Sequence, residues 1–98
     1  MLEILKSATF ETWINGLRDQ QARARINARI RRLSLGNPGD VKPAGAGVSE
    51  MQIDYGPGYR VYYVRRGAAL ILLLCGGDKN TQGADIKRAI EIAKDWKR

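Results

Sequence analysis

The chain contains no histidine. That removes the usual general acid–base side chain, the Ser-His and Cys-His nucleophile pairs, and most zinc sites. Any catalysis must come from carboxylates, Tyr, Lys and Arg. Cysteine is almost absent too. Cys75 stands alone, so no internal disulfide can form, and a reducing cytoplasm is expected. It closes an apolar run, which predicts a buried, inert thiol. No N-terminal stretch has the pattern of a signal peptide, and the longest apolar run, Ala68 to Cys75, is far too short to span a bilayer. A soluble, cytoplasmic protein is expected.

Acidic residues are also scarce. Ten Asp and Glu face seventeen Lys and Arg, a net charge of +7. Eleven of the cations are arginines, and guanidinium is the better bidentate ligand for phosphate. A basic surface can serve solubility alone. Clustering of the charge favours a polyanionic partner, RNA or DNA. The apolar share of 44% excludes a disordered chain, and 98 residues are enough for a single domain, 1–98, with one modest core.

Local patterns give the element order. Leu2–Lys6 is a short candidate strand. Ser7 can cap a first helix whose apolar residues Phe10, Trp13, Ile14 and Leu17 follow the spacing of one buried face, so Trp13 is expected in the core. Asp19 can cap a second helix, with Ala22, Ile26, Ile30 and Leu33 as its stripe and Gly36 and Pro38 as its stop. The two form an αα-hairpin. Gly36 to Gly47, rich in Gly, Pro and Ala, reads as a loop carrying Lys42. The period then changes to two. Met51, Ile53 and Tyr55 alternate with Glu50, Gln52 and Asp54; beyond Gly56-Pro57-Gly58, Tyr59, Val61 and Tyr63 alternate with Arg60, Tyr62 and Val64. Leu70 to Leu74 is continuously apolar, as in a central strand covered on both faces. After Gly76-Gly77, Thr81 can cap a last helix with Ile86, Ala89, Ile90 and Ala93 inward, and Lys94, Lys97 and Arg98 suiting its C-terminal dipole. The fold class is α+β: strand, helix, helix, three-stranded meander, helix, with a small, mostly antiparallel sheet open on one face or at one end.

Several residues stand out as binding or catalytic candidates. Arg60 in mid-strand has two readings, an ion pair with Glu50 or Asp54 across the hairpin, or a phosphate ligand. Lys79 follows a glycine-opened strand end, where backbone can approach a ligand; the alternative is a solvated turn. The P-loop spacing is absent. Arg60 and Lys79 can meet at one edge of the sheet. On the second helix Arg25, Arg29 and Arg32 share a face beside the apolar stripe, either solvated or gripping phosphates. Tyr62, if it points to an open sheet face, could stack on a base or donate to a phosphate.

Four runs, in order, make the chain recognisable as a whole. They are Gly36-Asn37-Pro38-Gly39-Asp40-Val41-Lys42, Gly47-Val48-Ser49-Glu50-Met51-Gln52-Ile53, Gly56-Pro57-Gly58-Tyr59-Arg60-Val61-Tyr62-Tyr63 and Gly76-Gly77-Asp78-Lys79-Asn80-Thr81-Gln82. The chain resembles the addiction-module killer, or HigB-like, branch of the RelE/ParE toxin superfamily over nearly its full length. The resemblance implies a RelE-like β-α-α-β-β-β-α fold. It also implies a type II toxin–antitoxin toxin, held inactive by a small helix-turn-helix antitoxin, that enters the ribosome and cleaves mRNA without a metal or other cofactor. By position Arg60 matches the arginine on the scissile phosphate, and Lys79 a second basic residue after the last strand. Glu50 and Gln52 fall where some relatives carry catalytic basic residues. Glu50 is left as the base by elimination. Arg25, Arg29, Arg32, Lys42, Gln52 and Tyr62 would hold RNA. Gln52 departs from the Arg common in the branch, and no Tyr or His lies near the C-terminus, where Asp85 is the nearest acidic candidate. The superfamily also holds ParE-like inhibitors of DNA gyrase, so that target, or a basic binding module without catalysis, is the alternative.

Overall fold

The computed structural model describes residues 1–96. Its elements are β1 (Glu3–Lys6), α1 (Ala8–Gly16), α2 (Gln20–Ser34), β2 (Val41–Gly45), β3 (Val48–Ile53), β4 (Tyr59–Arg66), β5 (Leu70–Asp78) and α3 (Gln82–Asp95). The fold class is α+β, as expected. Lys97 and Arg98, expected at the end of α3, lie outside the described residues.

The helix boundaries follow from side-chain chemistry. Ser7 Oγ accepts from the Phe10 N–H and donates to the Leu74 carbonyl, so the cap of α1 is also a tie to β5. Asp19 Oδ1 accepts from the Gln21 and Ala22 N–H groups and caps α2. At the far end Gly36, with φ of 88°, lets its N–H reach Leu33 O while the Asn37 N–H reaches Arg32 O. These two bonds are the Schellman arrangement that a left-handed glycine permits.

The five strands lie in the order β1-β5-β4-β3-β2. All neighbours are antiparallel except β1, which runs parallel to β5. The sheet is therefore mixed, with a parallel edge strand. The expected loop from Gly36 to Gly47 contains β2, paired with β3 from Val41↔Met51 to Gly45↔Val48. Pro43 is tolerated because β2 is an edge strand, where half the backbone donors need no partner.

Neither sheet face is open. Phe10, Ile14, Ile26, Ile30 and Leu33 of α1 and α2 pack on Met51, Ile53, Val61, Tyr63, Ile71 and Leu73. On the opposite face Ala89 and Ala93 of α3, with Ile86 and Ile90, pack on Val48, Tyr62, Val64, Leu72, Leu74 and Cys75. Leu70–Leu74 is apolar throughout because β5 serves both cores. A register shift between Tyr62 and Tyr63, which leaves Leu74 unpaired between Leu73 and Cys75, sends both Leu74 and Cys75 to the α3 side.

Candidate functional site

The two-residue period of β3 and β4 places Glu50, Gln52, Arg60 and Tyr62 on the α3 face. In cross-strand register they form two rows. One runs Lys42, Glu50, Tyr62, Cys75; the next runs Gln52, Arg60, Gly77. Because Gly77 has no side chain, Thr81 and Asp85 lie over β5 at the residue paired with Arg60. A Cβ at Gly77 would meet Asp85 Oδ2 and Thr81 Oγ1.

Arg60 is held from three directions. Its Nη1 donates to Gly58 O at 3.0 Å and to Tyr59 O at 3.4 Å. Its Nε stands 3.4 Å from Glu50 Oε2, with side-chain exposures of 15% and 1%. The pair is Coulombic only, because that Nε has no hydrogen-bond partner. Of the two carboxylates considered across the hairpin, Glu50 is the one that pairs. Gln82, at the start of α3, donates its Nε2 to both Glu50 oxygens, at 2.8 and 2.6 Å. Glu50 is thus sealed under α3, out of reach of a substrate, and its charged partner is Arg60. The expectation of a catalytic base there is corrected on that ground.

Lys79 is exposed, and its aliphatic stem lies near Gly58. It lines a cleft of about 280 Å³ together with Arg60, Gln52, Gly58, Asp40 and Asp54. The structure therefore brings Arg60, Lys79 and Gln52 together. Lys42 is exposed on edge strand β2, one row further on, and does not line this cleft. Tyr62 is another correction. It is fully buried beneath α3, where burial and then Glu50 push its phenol pKa upward, so it cannot stack on a base.

The arginines of α2 divide. Arg29 donates to Gln52 O at 2.6 Å, Pro38 O at 3.0 Å and Asp40 O at 3.3 Å. Burial, then Arg32, pull its pKa down. Arg29 is thereby a staple between α2, β3 and the turn before β2 rather than a free phosphate ligand. Arg25 and Arg32 are exposed, and Arg25 lies 4.6 Å over the Tyr55 ring. All three line a groove of about 300 Å³ that shares Ile53 and Asp54 with the Arg60–Lys79 cleft, so the two depressions meet.

Cys75 is buried, donates to Asp85 O at 3.4 Å, and burial pushes its pKa up to about 12. Asp85 accepts from the Thr81 hydroxyl, whose oxygen accepts from the Asp78 N–H, and Thr81 makes no side-chain cap bond to α3. Among the described residues no group of three or more His, Cys, Asp or Glu is placed to hold a metal ion, and no helix is long and apolar enough to cross a membrane. Gln82 is the residue that sequence reasoning did not single out. Its signal was weak: the first helical residue after the glycine-opened loop, turned back onto the sheet.

Known proteins resemble this chain at two levels. A protein of Haemophilus influenzae (strain Rd), described as uncharacterized, is 47% identical over 94 residues, covering 96% of this chain and 95% of its own. The crystal structure of a copper-bound mutant toxin from Helicobacter pylori superposes with a TM-score of 0.59 at 21% identity, over 82% of this chain and 97% of the other. At that identity the likeness is one of fold. The family model for phage-derived Gp49-like proteins (DUF891) matches residues 12–98, and the chain belongs to that family.

Proposed function

We propose that this protein is the toxin of a toxin–antitoxin pair and that it arrests translation by cleaving mRNA held on the ribosome. Membership of the Gp49-like family and a fold shared with a Helicobacter pylori toxin support the toxin reading. The observation that carries the chemistry is the meeting of Arg60 and Lys79 on one cleft, with the Arg25–Arg32 groove running into it. In this reading the RNA 2′-hydroxyl gives up its proton to water and attacks the adjacent phosphorus, and the bond to the 5′-oxygen breaks as that oxygen takes up a proton from water. The products are a 2′,3′-cyclic phosphate and a 5′-hydroxyl end. Arg60 and Lys79 stabilise the charge that builds on the phosphorane oxygens, the kind of electrostatic term that often dominates such reactions. The ribosome aligns the hydroxyl with the phosphate, and Asp40 and Asp54 are the carboxylates that line the cleft beside Arg60 and Lys79. Arg25 and Arg32 grip the backbone outside the cleft. An antitoxin, acidic where it meets this surface, holds the toxin inactive, and the charge of +7 steers the two together.

The test is induction of the protein, followed by primer extension on cellular mRNA, with plasmid supercoiling assayed in parallel. Growth arrest with new 5′ ends inside open reading frames is expected. Intact transcripts alongside relaxed or cleaved plasmid would move the target to gyrase. Normal growth with soluble protein present would remove the toxin reading.

A further inference from the structure

Gln82 has no part in the chemistry above, yet it holds the buried carboxylate behind Arg60. Glu50 is 1% exposed, and a carboxylate so far from water needs donors. Gln82 Nε2 supplies them to both oxygens, at 2.8 and 2.6 Å. Arg60 Nε, sealed from solvent 3.4 Å from Oε2, makes no hydrogen bond. A guanidinium is a stronger donor to carboxylate than a neutral amide and prefers to engage it with two parallel bonds. The amide takes one lone pair on each Glu50 oxygen, and with Arg60 Nη1 bonded to Gly58 O and Tyr59 O the guanidinium stands at the distance of a loose ion pair rather than in a fork on the carboxylate. Meanwhile Arg60 Nη1 bonds to backbone carbonyls, and its Nη2 has no partner among the described residues, at a residue that lines the cleft.

We infer that Gln82 is a positioning residue. By satisfying Glu50 it keeps the Arg60 guanidinium attracted but not captured, so that its free donors remain available to a phosphate. The inference rests on reading the cleft as an RNA phosphate site. Without the amide, both Glu50 oxygens fall to Arg60. The guanidinium then turns its fork onto Glu50 and is lost to the ligand. Gln82 and Arg60 belong to α3 and β4, so the seating of α3 on the sheet sets the readiness of the site.

The test compares the parent with Gln82→Ala, with the double variant Glu50→Gln, Gln82→Ala, and with Arg60→Ala, which also assigns the Arg60 signal. Gln82→Met, close in size and without donors, repeats the test with α3 still packed. The Arg60 Nε–H resonance in ¹⁵N-labelled protein reads the geometry directly. Fluorescence anisotropy with a single-stranded 2′-O-methyl oligoribonucleotide, which cannot be cut, reads the cleft. In Gln82→Ala the Nε–H signal should move downfield, and the oligonucleotide should bind roughly tenfold more weakly. Removing the carboxylate as well should return the signal and restore binding to within about threefold of the parent. A merely structural role for Gln82 predicts no recovery in the double variant. An unmoved Nε–H signal in Gln82→Ala and Gln82→Met, or a double variant as weak as the single, overturns the inference. If Arg60→Ala binds the oligonucleotide like the parent while the signal moves as stated, the RNA reading of the cleft fails and the positioning of Arg60 by Gln82 stands.

Discussion

The indole ring of Trp13 occupies the space that a side chain at Gly76 would need. Trp13 packs against Phe10 and edgewise against Tyr59, with ring centroids 5.8 and 6.2 Å away, so a retreat of the ring would give up those contacts. The glycine in β5 is thus a packing requirement of α1. Gly76→Ala should lose about 1–3 kcal/mol of stability by overpacking, read as a lower urea midpoint at unchanged slope. Trimming the ring as well, in Trp13→Leu with Gly76→Ala, should recover part of that loss. A single variant as stable as the parent would show that the ring can move aside.

Arg29 makes the sharpest contrast within α2. Three backbone carbonyls, of Gln52, Pro38 and Asp40, converge on one guanidinium. Among the described residues its neighbours Arg25 and Arg32 make no such bonds. Arg29→Met should cost about 1–3 kcal/mol, because partly buried carbonyls lose their donor. Arg25→Met and Arg32→Met should stay within about 0.5 kcal/mol of the parent, as exposed substitutions usually do. Arg29→Lys should rescue poorly, since a compact ammonium on a flexible stem cannot present donors along three directions at once. Equal thermal shifts for all three methionine variants would contradict the staple.

What was legible in the sequence was local. Ser7 and Asp19 announced their helices because a cap acts on N–H groups two or three residues away. The apolar run at Leu70–Leu74 announced a strand with two covered faces. Two kinds of information were not local. Alternation in β4 separates Tyr62 from Tyr63 but does not say which side α3 will cover, so Tyr62 was expected on an open face and is buried. The bonds from Arg29 span 9 to 23 residues and end on backbone, which carries no residue-type signal. The Gln82–Glu50 contact spans 32 residues and depends on how α3 docks. β2 was hidden because Pro43 and glycine suit an edge strand as well as a loop.

Cys75 gives a pH signature. Burial raises its pKa from 9.0 to about 12, the largest cause, with Asp85 adding to it. The folded state therefore binds the thiol proton more tightly than the unfolded state. Its contribution is fully present below about pH 9 and is lost as pH rises towards 12. Stability should fall above pH 9 with a slope from this group of at most about 1.4 kcal/mol per pH unit. Cys75→Val should make the fall between pH 9 and 10 shallower, the remaining slope coming from Tyr62 and Tyr63, whose pKa values burial also raises. The native thiol should also resist iodoacetamide at pH 8 under conditions in which the urea-unfolded chain reacts fully. Rapid native alkylation would mean that Cys75 opens without unfolding.

The division between cleft and groove predicts two kinds of loss on RNA. Arg25 and Arg32 are exposed cations on a groove that adjoins the cleft, so on the proposed reading each would act chiefly by displacing counterions. Replacing either by Ala should lower the slope of log K against log salt by about 0.7 for a single-stranded oligonucleotide. Binding should weaken similarly for every sequence, and cleavage at saturating RNA or ribosome should change little. Arg60→Ala should differ in kind. On the proposed reading, a guanidinium held by Gly58 O and Tyr59 O is preorganised for one phosphate, so its loss should fall on the cleavage rate at saturation. Arg60→Lys should recover little, because a lysine cannot reproduce the fork that these contacts hold in place. The measurement pairs salt-dependent anisotropy titrations with single-turnover cleavage of ribosome-bound message. If Arg60→Ala changed only the salt slope and left the saturated rate intact, Arg60 would join Arg25 and Arg32 as a gripping residue, and the reacting phosphate would have to lie elsewhere.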